Sequence, residues 1–135
     1  MKVVFGTDEP SGLATMVGGL IDQNLERDPT RRRLLRDSSA TIAVPDAGVT
    51  ITVRTSPGGV EVRDGADPAA HVAITADSDQ LLGLTSAPLR FGLPDPFDPS
   101  GRAVLRDVLS GRIRIRGILT HPRRLARLSA LLSVA

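Results

Sequence analysis

The chain has 135 residues, a formal net charge of +2, and no cysteine, tryptophan or tyrosine. That length suits one domain spanning 1–135, able to bury roughly two-thirds of its unfolded surface without staples. The lack of cysteine excludes disulfides, thiolate metal centres and cysteine nucleophiles.

No apolar run approaches the ~20 residues that span a bilayer. Residues 1–5 are too short for a signal-peptide core, and the C-terminal residues are not a peroxisomal address. The expectation is a cytoplasmic protein. Lys2 is the only lysine among 17 basic residues, so the calculated isoelectric point of 10.3 exaggerates the basicity. The small net charge is the better guide to partners. Arginine in place of lysine, with abundant alanine and glycine, fits a GC-rich bacterial genome. Aromatics are 2% against 41% hydrophobic residues, so a pocket here would be walled by aliphatic groups that hold alkyl or alicyclic ligands by area burial.

Leu13, Met16, Val17, Leu20, Ile21 and Leu25 recur at helical spacing. Thr7 or Asp8 would cap that helix, with Pro10 in its first turn. Gly18 and Gly19 weaken it by ~1 kcal/mol each relative to alanine, a cost that close approach to a strand or ligand would explain. Asp28 and Pro29 end it and open a shorter helix through Arg36. The period then changes to two. Residues 41–45, 49–55 and 60–64 read as strands joined by turn-forming connectors, and 71–76 as a fourth strand completing a meander. Asp77 or Ser78 caps a helix carrying Leu81, Leu82 and Leu84.

Residues 87–100 hold four prolines with Phe91, Leu93 and Phe97. This stretch is too apolar for a solvated linker and too proline-rich for a strand or helix. It reads as a lid or pocket rim, or equally as a packed connector. Ser100 or Gly101 opens a helix with Val104, Leu105, Val108 and Leu109 on one side, and Gly111 stops it. In the run LSGRIRIRG over 109–117, Ile113 and Ile115 share one face while Arg112, Arg114 and Arg116 share the other, the mark of a strand buried on one side. A last helix starts at Pro122 and carries Leu125, Leu128, Leu131 and Leu132. The sum is one α+β domain with five strands and about five helices.

This order resembles the sterol carrier protein type-2-like family, also called the sterol-binding domain family. The run 109–117, the leucine-rich helix after it, and the strands at 49–55 and 59–64 followed by AITAD over 73–77 carry the resemblance. It implies a curved five-stranded mixed sheet with helices over one face, enclosing an apolar tunnel for fatty acyl chains, acyl-CoA or sterols, closed in part by the last helix. On that basis the cargo would lie between the sheet face bearing Ile113 and Ile115 and the helices bearing Leu105, Leu109, Leu125 and Leu128. Phe91, Leu93 and Phe97 would form the mouth. The proline-rich 87–100 stretch and the scarcity of aromatics depart from the family pattern.

Other chemistry is poorly supported. His71 and His121 lack neighbours at metal-ligand spacing, and no phosphate-binding glycine loop follows a strand. Asp95 and Asp98 could pair for acid–base work, although turn formation explains them more simply. No cofactor or metal is expected. The arginines at 31–33 and 36, at 112, 114 and 116, and at 123, 124 and 127 are nearly balanced by fifteen acidic residues. Without stacking aromatics they argue against nucleic acid. On the last helix, Arg123, Arg124 and Arg127 beside the leucines form a basic amphipathic pattern suited to transient contact with an anionic membrane.

Burying a CH₂ is worth ~0.8 kcal/mol, so a twelve-carbon chain gains roughly 10 kcal/mol gross. Association costs ~4 kcal/mol or more. Micromolar lipid binding therefore needs only an apolar space and no catalytic group. The expected function is non-enzymatic lipid binding or transfer. The alternative is an interaction module of the same fold with a collapsed tunnel, and third is a small hydrolase or isomerase built on Asp95, Asp98 or His121.

Overall fold

The computed structural model describes residues 2–6, 11–86, 89–90, 93–94, 97–117 and 120–132. Strands β1 (Lys2–Phe5), β2 (Ser38–Val44), β3 (Val49–Ser56), β4 (Gly59–Asp64) and β5 (Val72–Thr75) precede two short ones, β6 (Leu89–Arg90) and β7 (Leu93–Pro94), and β8 (Arg114–Arg116) follows. The α-helices are α1 (Gly12–Arg27), α2 (Ser78–Ser86), α3 (Pro99–Leu109) and α4 (Pro122–Leu132), with a 3₁₀ helix at Pro29–Leu34 and a single 3₁₀ turn at Pro45–Ala47.

Six strands form one open mixed sheet in the order β1-β4-β3-β2-β5-β8. The expectation of five strands missed β1, which pairs in parallel with β4 from Lys2↔Gly59 to Phe5↔Val62. A four-residue strand leaves little alternation to detect. The expected four-stranded meander stops at three. β5 does not lie beside β4 but crosses to the far side of β2 and runs parallel to it. The polar face of the sheet carries that crossover: Thr52 Oγ1 donates to the Gly65 carbonyl at 2.8 Å, the Asp67 N–H donates to Thr41 Oγ1 at 3.1 Å, and Arg54 pairs with Asp67 at 3.0 Å. Strand spacing of two puts these side chains opposite the buried column Val62, Val53, Ala40 and Val72.

The helices lie over that buried face. α1 is capped by Ser11, whose side chain accepts from the Ala14 N–H, and not by Thr7 or Asp8, which with Pro10 lie outside the described residues. The Asp64 carboxylate at the end of β4 accepts the Ser11 N–H at 2.9 Å and pins the helix start to the sheet. The stripe α1 buries is Ala14, Val17, Gly18, Ile21, Asn24 and Leu25, while Met16 is exposed. The segment opened by Asp28 is 3₁₀, not α, and Asp28 caps it through the Thr30 N–H. Gln80 reaches back to the Asp77 N–H at 3.0 Å, so Asp77 opens α2. The cap of α3 is Asp98, accepting the Ser100 N–H at 2.9 Å with Pro99 at the first helical position, in place of Ser100 or Gly101. Within 87–100, β6 and β7 pair as a two-residue antiparallel ribbon, so the stretch read as too proline-rich for strands does contain one.

Candidate functional site

α4 packs against α1 and the 3₁₀ helix at Pro29–Leu34, and its leucines Leu125, Leu128, Leu131 and Leu132 are buried. Their spacing of three and four residues builds one continuous stripe. Arg124 and Arg127 fall on the edge of that same stripe, one turn and one residue from Leu128. Beneath them is a cleft floored by Ala40, Val53, Val72, Leu128 and Leu131, with Ser38, Ser39, Thr55, Arg124 and Arg127 around it. Its free volume is only about 10 Å³, about what one water needs.

The rim is strongly polar and one-signed. Nε of Arg124 and Nε of Arg127 are buried without a hydrogen-bond partner, and among the described residues neither arginine has a carboxylate partner. Burial lowers the pKa of Arg127, and the charges of Arg36, Arg124 and Arg123 lower it further. Arg124 Nη1 donates to His121 Nδ1 at 3.3 Å. The His121 ring meets the His71 ring edge-on, with centroids 5.2 Å apart. His71 Nδ1 accepts the Ser39 N–H at 3.2 Å, and the His71 N–H donates to Ser39 Oγ at 3.3 Å. Burial, then the Arg124 charge, lowers the His71 pKa.

The two histidines, fifty residues apart in sequence, are therefore neighbours, yet each Nδ1 is engaged in holding structure together. Among the described residues no group of three or more histidine, aspartate or glutamate side chains could hold a metal. Asp98 is committed to capping α3, and Asp95 lies outside the described residues. Among the described residues nothing assembles a nucleophile with a base and an orienting acid.

The residues expected to surround a cargo divide into two groups. Ile113, at 1% exposure, Leu125 and Leu128 belong to the main core, with half-buried Ile115 packed against it. Leu109 is 88% exposed and Phe97 74% exposed, and Leu105 is half-buried outside that cluster. Helical spacing one turn after Leu105 puts Leu109 on the inner side of α3. α3 in fact ends at Leu109, and only Gly101 and Val104 are buried along it. Phe91 lies outside the described residues, and Leu93 is placed only by its backbone pairing with Arg90. Among the described residues, α4 meets the sheet in a packed seam. The rim residues Ser38, Ser39 and Thr55 carry no signal in the sequence pattern. Arg124 and Arg127 read as facing a membrane, although their 124, 127, 128, 131 spacing already puts them on the leucine stripe.

No family model matches the chain, and no curated protein matches it. Among solved structures it is similar to UbiJ-SCP2, a ubiquinone synthesis protein, with a TM-score of 0.60 and 18% identity over 90% of this chain and 96% of that one. A conserved hypothetical protein from Thermus thermophilus, described as possibly a sterol carrier protein, aligns over 96% of this chain and 93% of its own at 13% identity and a TM-score of 0.43. The likeness is one of fold. The chain has the sterol-carrier-type architecture, and no helix among its described residues is long and apolar enough to cross a membrane.

Proposed function

We propose that this sterol-carrier-type fold serves as a non-enzymatic module that binds a long-chain lipid along the seam between α4 and the sheet. The observation that supports it most is the cleft under Leu128 and Leu131, where an aliphatic floor opens beside a polar rim. Pockets that hold small molecules combine an apolar lining with a few placed polar groups.

The closed seam sets a condition on the cargo. Freeing the four buried leucines of α4 would cost about 6–12 kcal/mol, at about 1.5–3 kcal/mol each. A twelve-carbon chain gains roughly 10 kcal/mol gross, so it would about break even before association costs. Binding of a twelve-carbon chain therefore calls for only partial displacement of α4, and a longer chain should bind more tightly. The UbiJ-SCP2 likeness makes isoprenoid quinone precursors a natural class to try beside fatty acyl chains.

Native mass spectrometry of gently purified protein, with lipid extraction, tests the reading. A stoichiometric apolar adduct is expected, as is affinity for fluorescent alkyl chains that rises beyond twelve carbons. Leu128→Ala should change that affinity, whereas Leu109→Ala on the exposed end of α3 should not. A clean apo mass with no alkyl-chain binding would overturn it. The packing beneath α4 specifically favours the second reading, a protein-interaction module with a collapsed tunnel, which that outcome would leave standing.

A further inference from the structure

Arginines on a solvated helix face normally keep their heads in water. Arg123 does so, being exposed. Arg124 and Arg127 do not: both are half-buried, with both Nε donors withdrawn from solvent and unmatched. Leaving a buried donor unpaired is costly, and more so when the group is charged. Arg36 and Arg123 add charge of the same sign at Arg127. The arrangement is therefore unfavourable as it stands and complementary to an anion. Guanidinium forks match the oxygens of carboxylate and phosphate groups, often two bonds at a time.

We infer that Arg124 and Arg127, above the Ser38–Ser39 end of β2, form an anion-binding site for a carboxylate or phosphate group. The group could be the head of an amphiphile whose tail follows the cleft toward Val53 and Leu131, or a free oxyanion. The first source rests on the lipid-binding reading proposed above; the anion site itself does not. The site differs from contact with a membrane surface because its two arginines turn into the fold beside α4, while only Arg123 is presented outward.

The test compares monododecyl phosphate, 1-dodecanol and inorganic phosphate, each below its aggregation concentration, by calorimetry and by amide NMR shifts. Wild-type protein and the double variant Arg124→Met/Arg127→Met are used, since methionine keeps much of the apolar stem. Dodecyl phosphate should bind at least about tenfold more tightly than dodecanol. The double variant should lose that advantage while binding dodecanol as before, and the retained dodecanol affinity shows that the variant is folded. If neither alkyl ligand binds but inorganic phosphate shifts the Ser38 and Ser39 amides in an arginine-dependent way, the anion site stands and the lipid reading fails. Equal affinity for dodecyl phosphate and dodecanol, with no arginine-dependent phosphate shift, would overturn the anion site and leave the lipid reading intact. A circular dichroism spectrum matching wild type guards the second outcome.

Discussion

The Asn24 side chain donates to the Leu131 carbonyl at 2.8 Å, joining the interior of α1 to the last turn of α4 across 107 residues of sequence. Asn24 is 2% exposed, and its Oδ1 accepts from Arg27 Nη2 at 3.3 Å. Arg31 adds a second tie, donating to the Ala130 carbonyl at 3.1 Å. The last carbonyls of a helix have no partner within it, so these two bonds seal the end of α4 that closes the seam.

Asn24→Leu should therefore destabilise the domain by about 1–3 kcal/mol, because it leaves a buried carbonyl unpaired and not merely one bond short. Urea unfolding with an unchanged m-value would check this. Hydrogen exchange should show faster opening confined to α4. A variant as stable as wild type would mean that water replaces the amide at no cost.

The adjacent glycines of α1 should respond in opposite ways. At Gly19 an added Cβ meets nothing within 4 Å, whereas at Gly18 it would stand 2.8 Å from the Phe5 ring. Gly19→Ala should stabilise by about 0.5–1 kcal/mol through helix propensity alone. Gly18→Ala should forfeit that gain, since Phe5, 42% exposed, must swing away and loosen β1. Thermal melts of the two variants, with amide exchange at Val4 and Phe5, distinguish the cases. Equal stabilisation would remove Gly18 from the role of admitting β1 close to α1.

That pair shows what can be read from the sequence and what cannot. The unusual glycines are visible in it, and close approach to a strand is one reason for them. The strand itself is not visible, because β1 is a short edge strand. Alternation places β3, β4 and the inward side of Ile113 and Ile115 correctly, since burial on one face imposes a period of two. It says nothing of which strands are neighbours, so the return of β5 to the far side of β2 escapes it. That return depends on Thr41, Thr52 and Asp67 meeting across the polar face. The site is half legible for the same reason. Leu128 and Leu131 follow from helical spacing, but Ser38, Ser39 and His71 reach the arginines only through the strand order.

Gly117 is held at φ +103°, and a Cβ there would lie 2.6 Å from the His71 carbonyl oxygen. The contact is with backbone, so no side chain can move aside. Gly117→Ala should cost about 1–3 kcal/mol from the dihedral alone, with a steric penalty in addition. β8 should detach from β5 first, seen as lost protection at Ile115. A melting temperature within error of wild type would show that the backbone at Gly117 settles into another conformation at no cost.

Stability should also fall on acidification through His71. Burial and the nearby Arg124 and His121 hold its pKa below the usual 6.5, with Asp67 opposing weakly. Geometry acts in the same direction, because Nδ1 already accepts the Ser39 N–H and a proton there would set donor against donor. The unfolded chain thus takes up a proton near pH 6.5 that the folded chain refuses until lower pH. Protons bound in the unfolded state then exceed those in the native state, so the unfolding free energy decreases as pH drops. The contribution is complete above the unfolded value and is lost between it and the lower folded value. His71→Asn can offer Ser39 an acceptor without titrating, and it should flatten the slope of stability between about pH 7 and pH 5. Urea midpoints across that range measure the slope, and a variant as steep as wild type would assign it to other groups.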